Sequence, residues 1–235
     1  MTRTTSYVRP GLVHVLAQAL AAVGLVTLVV GPAYAINAAT QAPATVRVQV
    51  QVDPTSTEGR QLHAARRLSV PPTATGGRAP EHVRLTAVDL VTPDDGQGYA
   101  AQLSAWDSTR TEQLLSRGHL ALTGIGLGLV ALLLRPVLTS IAAARPFGAA
   151  NARRLAQLAV VAVVVTHLAP LLPTLAAGQV LGRLGLDGRD SPLHVVPWFH
   201  LGAWDLVALL TLVLAEAFRQ GERSERELNE PVSPS

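Results

Sequence analysis

Two polar side chains interrupt the apolar runs of this chain and raise its main chemical question. His167 falls within Leu155 to Leu181, and Asp205 falls within Val195 to Phe218. A carboxylate in hydrocarbon costs about 2.5–3.5 kcal/mol, so it should face a partner or water. From Arg154 to His167, and from Arg219 back to Asp205, a helix rises roughly 20 Å in each case. The spacing therefore predicts similar depths and a His–Asp pair. Such a pair serves either a proton-linked or ion-binding site or a structural interhelical hydrogen bond, and the structural role is the default. Glu216, one turn before Arg219, is expected to pair with Arg153 or Arg154.

Other chemistry finds little support. There is no cysteine, which rules out thiolate ligands, disulfides and thiol nucleophiles. His194, His200, Asp187 and Asp190 lack a compact ligand spacing such as H-E-x-x-H, so no metal site is expected. No phosphate loop, nucleophile elbow or dinucleotide-binding glycine motif occurs, so the expectation is a protein that is not an enzyme and needs no cofactor. Gly124, Gly126 and Gly128 sit inside an apolar run and read as helix packing; the 124/128 pair lets a neighbouring helix approach closely. The pI is near 10.1. However, the arginines flank apolar segments and the nine aromatics are not interleaved with them, which argues against direct nucleic acid binding.

The elements that would position these residues follow from composition and pattern. Of 235 residues, 49% are hydrophobic and 15% charged, and every basic residue is Arg. Mean hydropathy is +0.31. A soluble domain carries about 25% charge, so this apolar excess points to lipid. The expected fold is a mainly α membrane protein with four transmembrane helices and a small extracytoplasmic β-rich insertion between helices 1 and 2. Residues 1–10 form a cytoplasmic N-terminus and 11–37 the first span. Ala33-Tyr34-Ala35 resembles a signal cleavage site, but the apolar run exceeds the roughly 7–15 residues of a signal peptide, so a retained anchor is expected.

Residues 38–116 form the β-rich domain. Val46, Val48, Val50 and Val52 alternate with Arg47, Gln49 and Gln51, as a half-buried strand requires. Further strands are expected at 82–91 and 99–106, with three to five in all. So small a core is marginal and should lean on the helices or a partner. Thr109 and Glu112 form a capping-box pattern that starts a helix leading into the second span, 117–144. An elbow at 145–151 leads to the third span, 152–181. The loop 182–194, the fourth span 195–218 and a charged tail 219–235 complete the chain. In the elbow Pro146 disfavours helical geometry at Arg145, and Asn151 is placed to cap the next helix. Arginines cluster at the proposed inner face: Arg3, Arg9, Arg135, Arg145, Arg153, Arg154, Arg219, Arg223 and Arg226. The positive-inside rule then puts both termini in the cytoplasm of a bacterial cell and 38–116 outside.

The elbow Ala144-Arg145-Pro146-Phe147, with Asn151-Ala152-Arg153-Arg154-Leu155, resembles a bacterial membrane family named domain of unknown function 2975. The tail Leu214-Ala215-Glu216-Ala217-Phe218-Arg219-Gln220-Gly221-Glu222 is similar to the end of that family's fourth helix. Gly148 departs from the family's usual Ser or Thr cap, and the acidic finish is only approximate. The resemblance implies an integral membrane protein, often encoded beside a small helix-turn-helix regulator, with Arg145, Pro146, Phe147, Asn151, Arg153, Arg154, Glu216 and Phe218 in the matching motifs. The functional expectation is a non-enzymatic anchor, sensor or regulatory subunit in the bilayer, joining its outer domain to a cytoplasmic protein partner. The alternative is a small homo-oligomeric transporter or channel that uses Asp205 and His167.

Overall fold

The computed structural model describes residues 10–65, 67–68, 83–89, 99–143, 149–188, 191–196 and 202–229. His82, residues 71–77 and 93–96, the elbow residues Arg145, Pro146 and Phe147, the aromatics Trp198 and Phe199, and His200 lie outside them. The element order is α1 (Pro10–Thr40), β1 (Val46–Val52), α2 (Thr57–Ala65), β2 (Arg67–Leu68), β3 (Arg84–Asp89), β4 (Tyr99–Ala105), α3 (Arg110–Ala142), α4 (Ala149–Leu184), β5 (Leu193–Val195) and α5 (Ala203–Asn229). The protein is mainly helical with one small sheet. Three of the described helices are long and apolar enough to cross a membrane: α1, α3 and α4.

The chain divides into two compact units, and α1, α3 and α4 contribute to both. The first unit is a helix bundle of residues 1–31, 123–166 and 201–235. Small residues build much of its interior. A Cβ on Gly128 would lie 2.9 Å from the Gly24 carbonyl oxygen, and one on Gly124 would lie 2.5 Å from that of Thr27. Only glycine permits α1 and α3 to touch backbone to backbone there. Gly126 meets Val165 of α4 instead. Gly124, Gly126 and Gly128 of α3 therefore seat two neighbours of the same chain. A tighter cluster of Leu155, Leu158 and Ala215, backed by Leu133, Leu134 and Phe218, joins α3, α4 and α5. Large aliphatic side chains point outward, including Val23, Val29, Leu210 and Val213.

The second unit holds the sheet. Its strand order is β2-β3-β4-β1-β5 with every neighbouring pair antiparallel. In β1 the valines are buried and Arg47 and Gln49 are exposed, as the period-2 pattern requires. Val46, Val48, Val50, Val52, Leu62, Leu85 and Leu103 share one core with Ala176, Ala177, Val180, Leu181 and Leu184 from the far half of α4. Gly185 ends α4 in the left-handed region at φ 68°. Leu186 N–H donates to Leu181 O at 2.8 Å and Gly185 N–H to Gly182 O at 3.1 Å, a Schellman cap that turns Leu186 back into the core.

Several boundaries differ from the sequence expectation. Leu193-His194-Val195 is a strand paired with Val50 to Val52, although this segment was expected to close a loop and open the fourth span. Three residues are too few to display a period. The helix expected from 195 starts at Ala203 and extends to Asn229. The third helix runs from Ala149 to Leu184 rather than 152 to 181, unbroken through Pro170 and Pro173. Residues 57–65, outside the expected strands of the β-rich domain, form α2. Ser56 Oγ accepts from Gly59 N–H at 2.9 Å, and Asp53 Oδ1 accepts from Thr55 N–H at 2.8 Å and from its hydroxyl at 2.7 Å. A short polar helix carries too little apolar periodicity to be seen in advance.

Candidate functional site

Asp205 sits in the first turn of α5, not in the interior of a helix. Its Oδ2 accepts from the Gly202 N–H at 2.8 Å. A carboxylate here closes the helix N-terminus and meets its positive dipole end. This gives Asp205 a structural task independent of any proton chemistry. His167 is half-buried in α4 and belongs to the sheet unit, whereas Asp205 belongs to the bundle unit.

Of the elbow and tail residues, Asn151 lies in the first turn of α4 and is 2% exposed. Its Nδ2 donates to the Ser140 hydroxyl of α3, and its Oδ1 accepts from Arg154 Nη1 at 3.2 Å. Asn151 thus ties the start of α4 to the end of α3. Phe218 packs against the Leu155 cluster. Glu216 was expected to reach Arg153 or Arg154, but its Oε2 pairs with Arg219 at 2.7 Å and its Oε1 accepts from Gln220 at 3.3 Å, both on α5. Positions three and four apart on one helix are already neighbours, so these partners come with no cost in helix placement.

Glu216 and Arg153 nevertheless line one groove along the α4–α5 seam. Its volume is about 540 Å³, and Ala152, Ala156, Leu212, Ala215, Arg219 and Glu222 complete it. A second hollow of about 380 Å³ shares Leu212 with it and is lined by Ala159, Val160, Val163, Val164, Asp205, Ala208 and Leu209. The seam therefore has a charged end at Arg153 and Glu222 and an apolar stretch that reaches Asp205. Its floor is low because Ala159, Ala208 and Ala215 are small and buried.

The sheet unit holds a polar constellation that sequence reasoning found only in part. The Thr109–Glu112 capping box forms: Thr109 N–H donates to Glu112 Oε2 at 3.0 Å, and Glu112 N–H donates to Thr109 Oγ1 at 3.1 Å. Glu112 is 2% exposed, and its other oxygen takes Arg183 Nε at 2.8 Å. Arg183 Nη1 also donates to the Trp106 carbonyl at 3.3 Å. Nearby, Gln113 Nε2 donates to Ser108 Oγ at 2.8 Å, and Ser108 Oγ donates to Ala44 O at 2.7 Å. The capping pattern marked Glu112 in the sequence; nothing marked Arg183 as its partner.

Asp53 is half-buried, and the Thr55 hydroxyl and N–H hold its carboxyl below the usual carboxylate range. Among the described residues, no group of three or more His, Asp or Glu side chains is arranged to hold a metal ion. No protein-family model, curated protein or solved structure matches the chain.

Proposed function

We propose that this is a four-span membrane protein of the bacterial cell membrane, with both termini in the cytoplasm and the sheet unit outside. It acts as a non-enzymatic anchor, sensor or regulatory subunit for a cytoplasmic protein partner. The resemblance of the elbow and tail to the family named above belongs to this proposal. The observation that carries it is the composition of the sheet core. Five residues of α4, Ala176 to Leu184, are part of that core, and the same helix begins at Ala149 in the bundle. A ligand or partner that repacks the sheet would therefore act on a helix that continues, unbroken, to the Asn151–Arg154 corner.

The bundle supports the membrane part of this reading. Many of its large aliphatic side chains are exposed, while Ala17, Gly24, Ala131, Ala159, Ala208 and Ala215 are buried. This suits lipid, where association depends on close packing rather than on hydrophobic burial. The capping role of Asp205 supports an anchor more than a transport site. The test is affinity isolation of the tagged full chain from its native membranes in mild detergent, with mass spectrometry of what co-purifies. The expected result is a stoichiometric protein partner that is lost when residues 219–235 are deleted. A homo-oligomer without any partner would overturn the proposal in favour of transport. A reporter active only outside the membrane, fused after Ser235, should be silent.

A further inference from the structure

We infer that the α4–α5 seam binds one zwitterionic amino-phospholipid, with its head at the charged end and an acyl chain along the apolar stretch. The inference rests on the membrane reading above and goes beyond it to a ligand and a site.

Three features carry it. The first is charge. The wider groove is lined by two cations, Arg153 and Arg219, and two anions, Glu216 and Glu222. A phosphate suits the guanidiniums, which match its geometry with a fork of N–H donors. An ammonium suits the carboxylates. A head bearing both charges leaves the groove neutral. A singly anionic head would place a third negative charge beside Glu216 and Glu222, and a trimethylated choline has no N–H to donate to them.

The second feature is continuity. The head groove and the apolar hollow meet at Leu212, so the lining turns from charged to aliphatic along one track, as a phospholipid does. From Ala152 to Val164 the helix rises about 18 Å. That slightly exceeds one leaflet of a hydrocarbon core of about 30 Å.

The third feature is relief. Ala152, Ala156, Ala159, Ala208 and Ala215 form the floor, while Val160, Val163, Val164 and Leu209 stand as walls. An alanine floor between α4 and α5 keeps a channel open that larger side chains would fill.

The test uses the full-length protein purified in detergent. It is mixed with micelles of phosphatidylethanolamine, phosphatidylcholine or phosphatidylglycerol, then examined by native mass spectrometry and thermal melting. Phosphatidylethanolamine should be retained as a single molecule and raise the melting midpoint, with affinity about tenfold above the other two. Arg153→Gln should weaken retention of all three lipids. Glu222→Gln should remove the preference and raise phosphatidylglycerol binding. Leu212→Trp, which blocks the track without changing charge, should reduce retention of every lipid. Equal binding of the three lipids by the unaltered protein would overturn the inference, as would a preference that survives both charge substitutions. The two readings fail separately. Release of the protein from native membranes by alkaline carbonate would sink the membrane reading, whereas firm retention with no lipid preference would sink only the groove assignment.

Discussion

The interiors of the two units of this protein lean on different residue sizes. In the sheet unit the interior is large and aliphatic: Val46, Val50, Val52, Leu62, Leu85 and Leu103 are all at most 1% exposed. In the bundle many interior positions are small, with Gly24, Gly124 and Gly128 at the α1–α3 contact and Ala208 and Ala215 on α5. Many of its leucines and valines face outward, Val213 at 60% exposed and Leu210 at 58%, whereas Val137, Leu155 and Leu158 are buried. One sequence thus follows two packing rules. In water, removing large apolar surface from solvent drives folding. In lipid that drive is absent between helices, and contact depends on how closely backbones approach.

The contrast can be broken by matched substitutions, followed by thermal melting of the full chain in detergent. Leu103→Ala should cost about 4 kcal/mol, because Leu103 is fully buried in the sheet core and its loss leaves a cavity. Leu210→Ala, the same chemical change on an outward position of α5, should stay within about 0.5 kcal/mol. Equal losses would mean that the bundle surface is covered by protein rather than lipid or detergent.

Arg183→Ala should cost about 3 kcal/mol, since it strips the ion-pair partner from a buried carboxylate. The figure sits at the low end because Arg183 is 27% exposed and Glu112 keeps its hydrogen bond from Thr109. Glu112→Gln, which preserves the capping geometry, should cost less. A loss as great as that of Arg183→Ala would show that charge, not capping, holds this corner.

Gly128→Val should destabilise the bundle by about 2 kcal/mol through overpacking against Gly24 and Leu28. Gly178→Ala is the control. Nothing lies within 4 Å of a Cβ built there, so the change should stabilise α4 by about 0.5–1 kcal/mol. Tolerance of valine at 128 would refute the close approach of α1 and α3.

The smallest effect concerns acid. Asp53 has its carboxyl held below an ordinary value of 3.8, chiefly by the Thr55 hydroxyl and then by the Thr55 N–H. Its contribution is present above pH 3.8 and fades as pH falls through the lower folded value. Asp53→Asn should flatten the acid limb of the melting curve slightly in that range and leave neutral pH almost unchanged. A loss confined to neutral pH would contradict the hydrogen-bond account.

How much of this could be read from the chain depends on how local each feature is. The apolar runs of α1, α3 and α4 were legible because a helix long enough to cross lipid needs many consecutive apolar residues. The strand at Val46 to Val52 was legible from its alternation, and the Thr109–Glu112 box from residue type and spacing. Gly124, Gly126 and Gly128 of α3 were legible as packing residues, though spacing could not say that 124 and 128 meet α1 while 126 meets α4. Asp205 was noticed but placed in the interior of a helix, because the apolar run gives no mark of the start at Ala203.

The sequence by itself determined the kinds of surface: which stretches shun water, which alternate, and where a cap begins a helix. Those are one-body properties of a segment and its solvent. Tertiary structure alone decided the pairings. It added β5 to the edge of β1 and drew the far half of α4 into the sheet core. It also joined Glu112 to Arg183 across 71 positions, and it shaped the α4–α5 seam. Each of these depends on which surfaces the folded backbone brings within a few ångströms, and no spacing along a single chain specifies that.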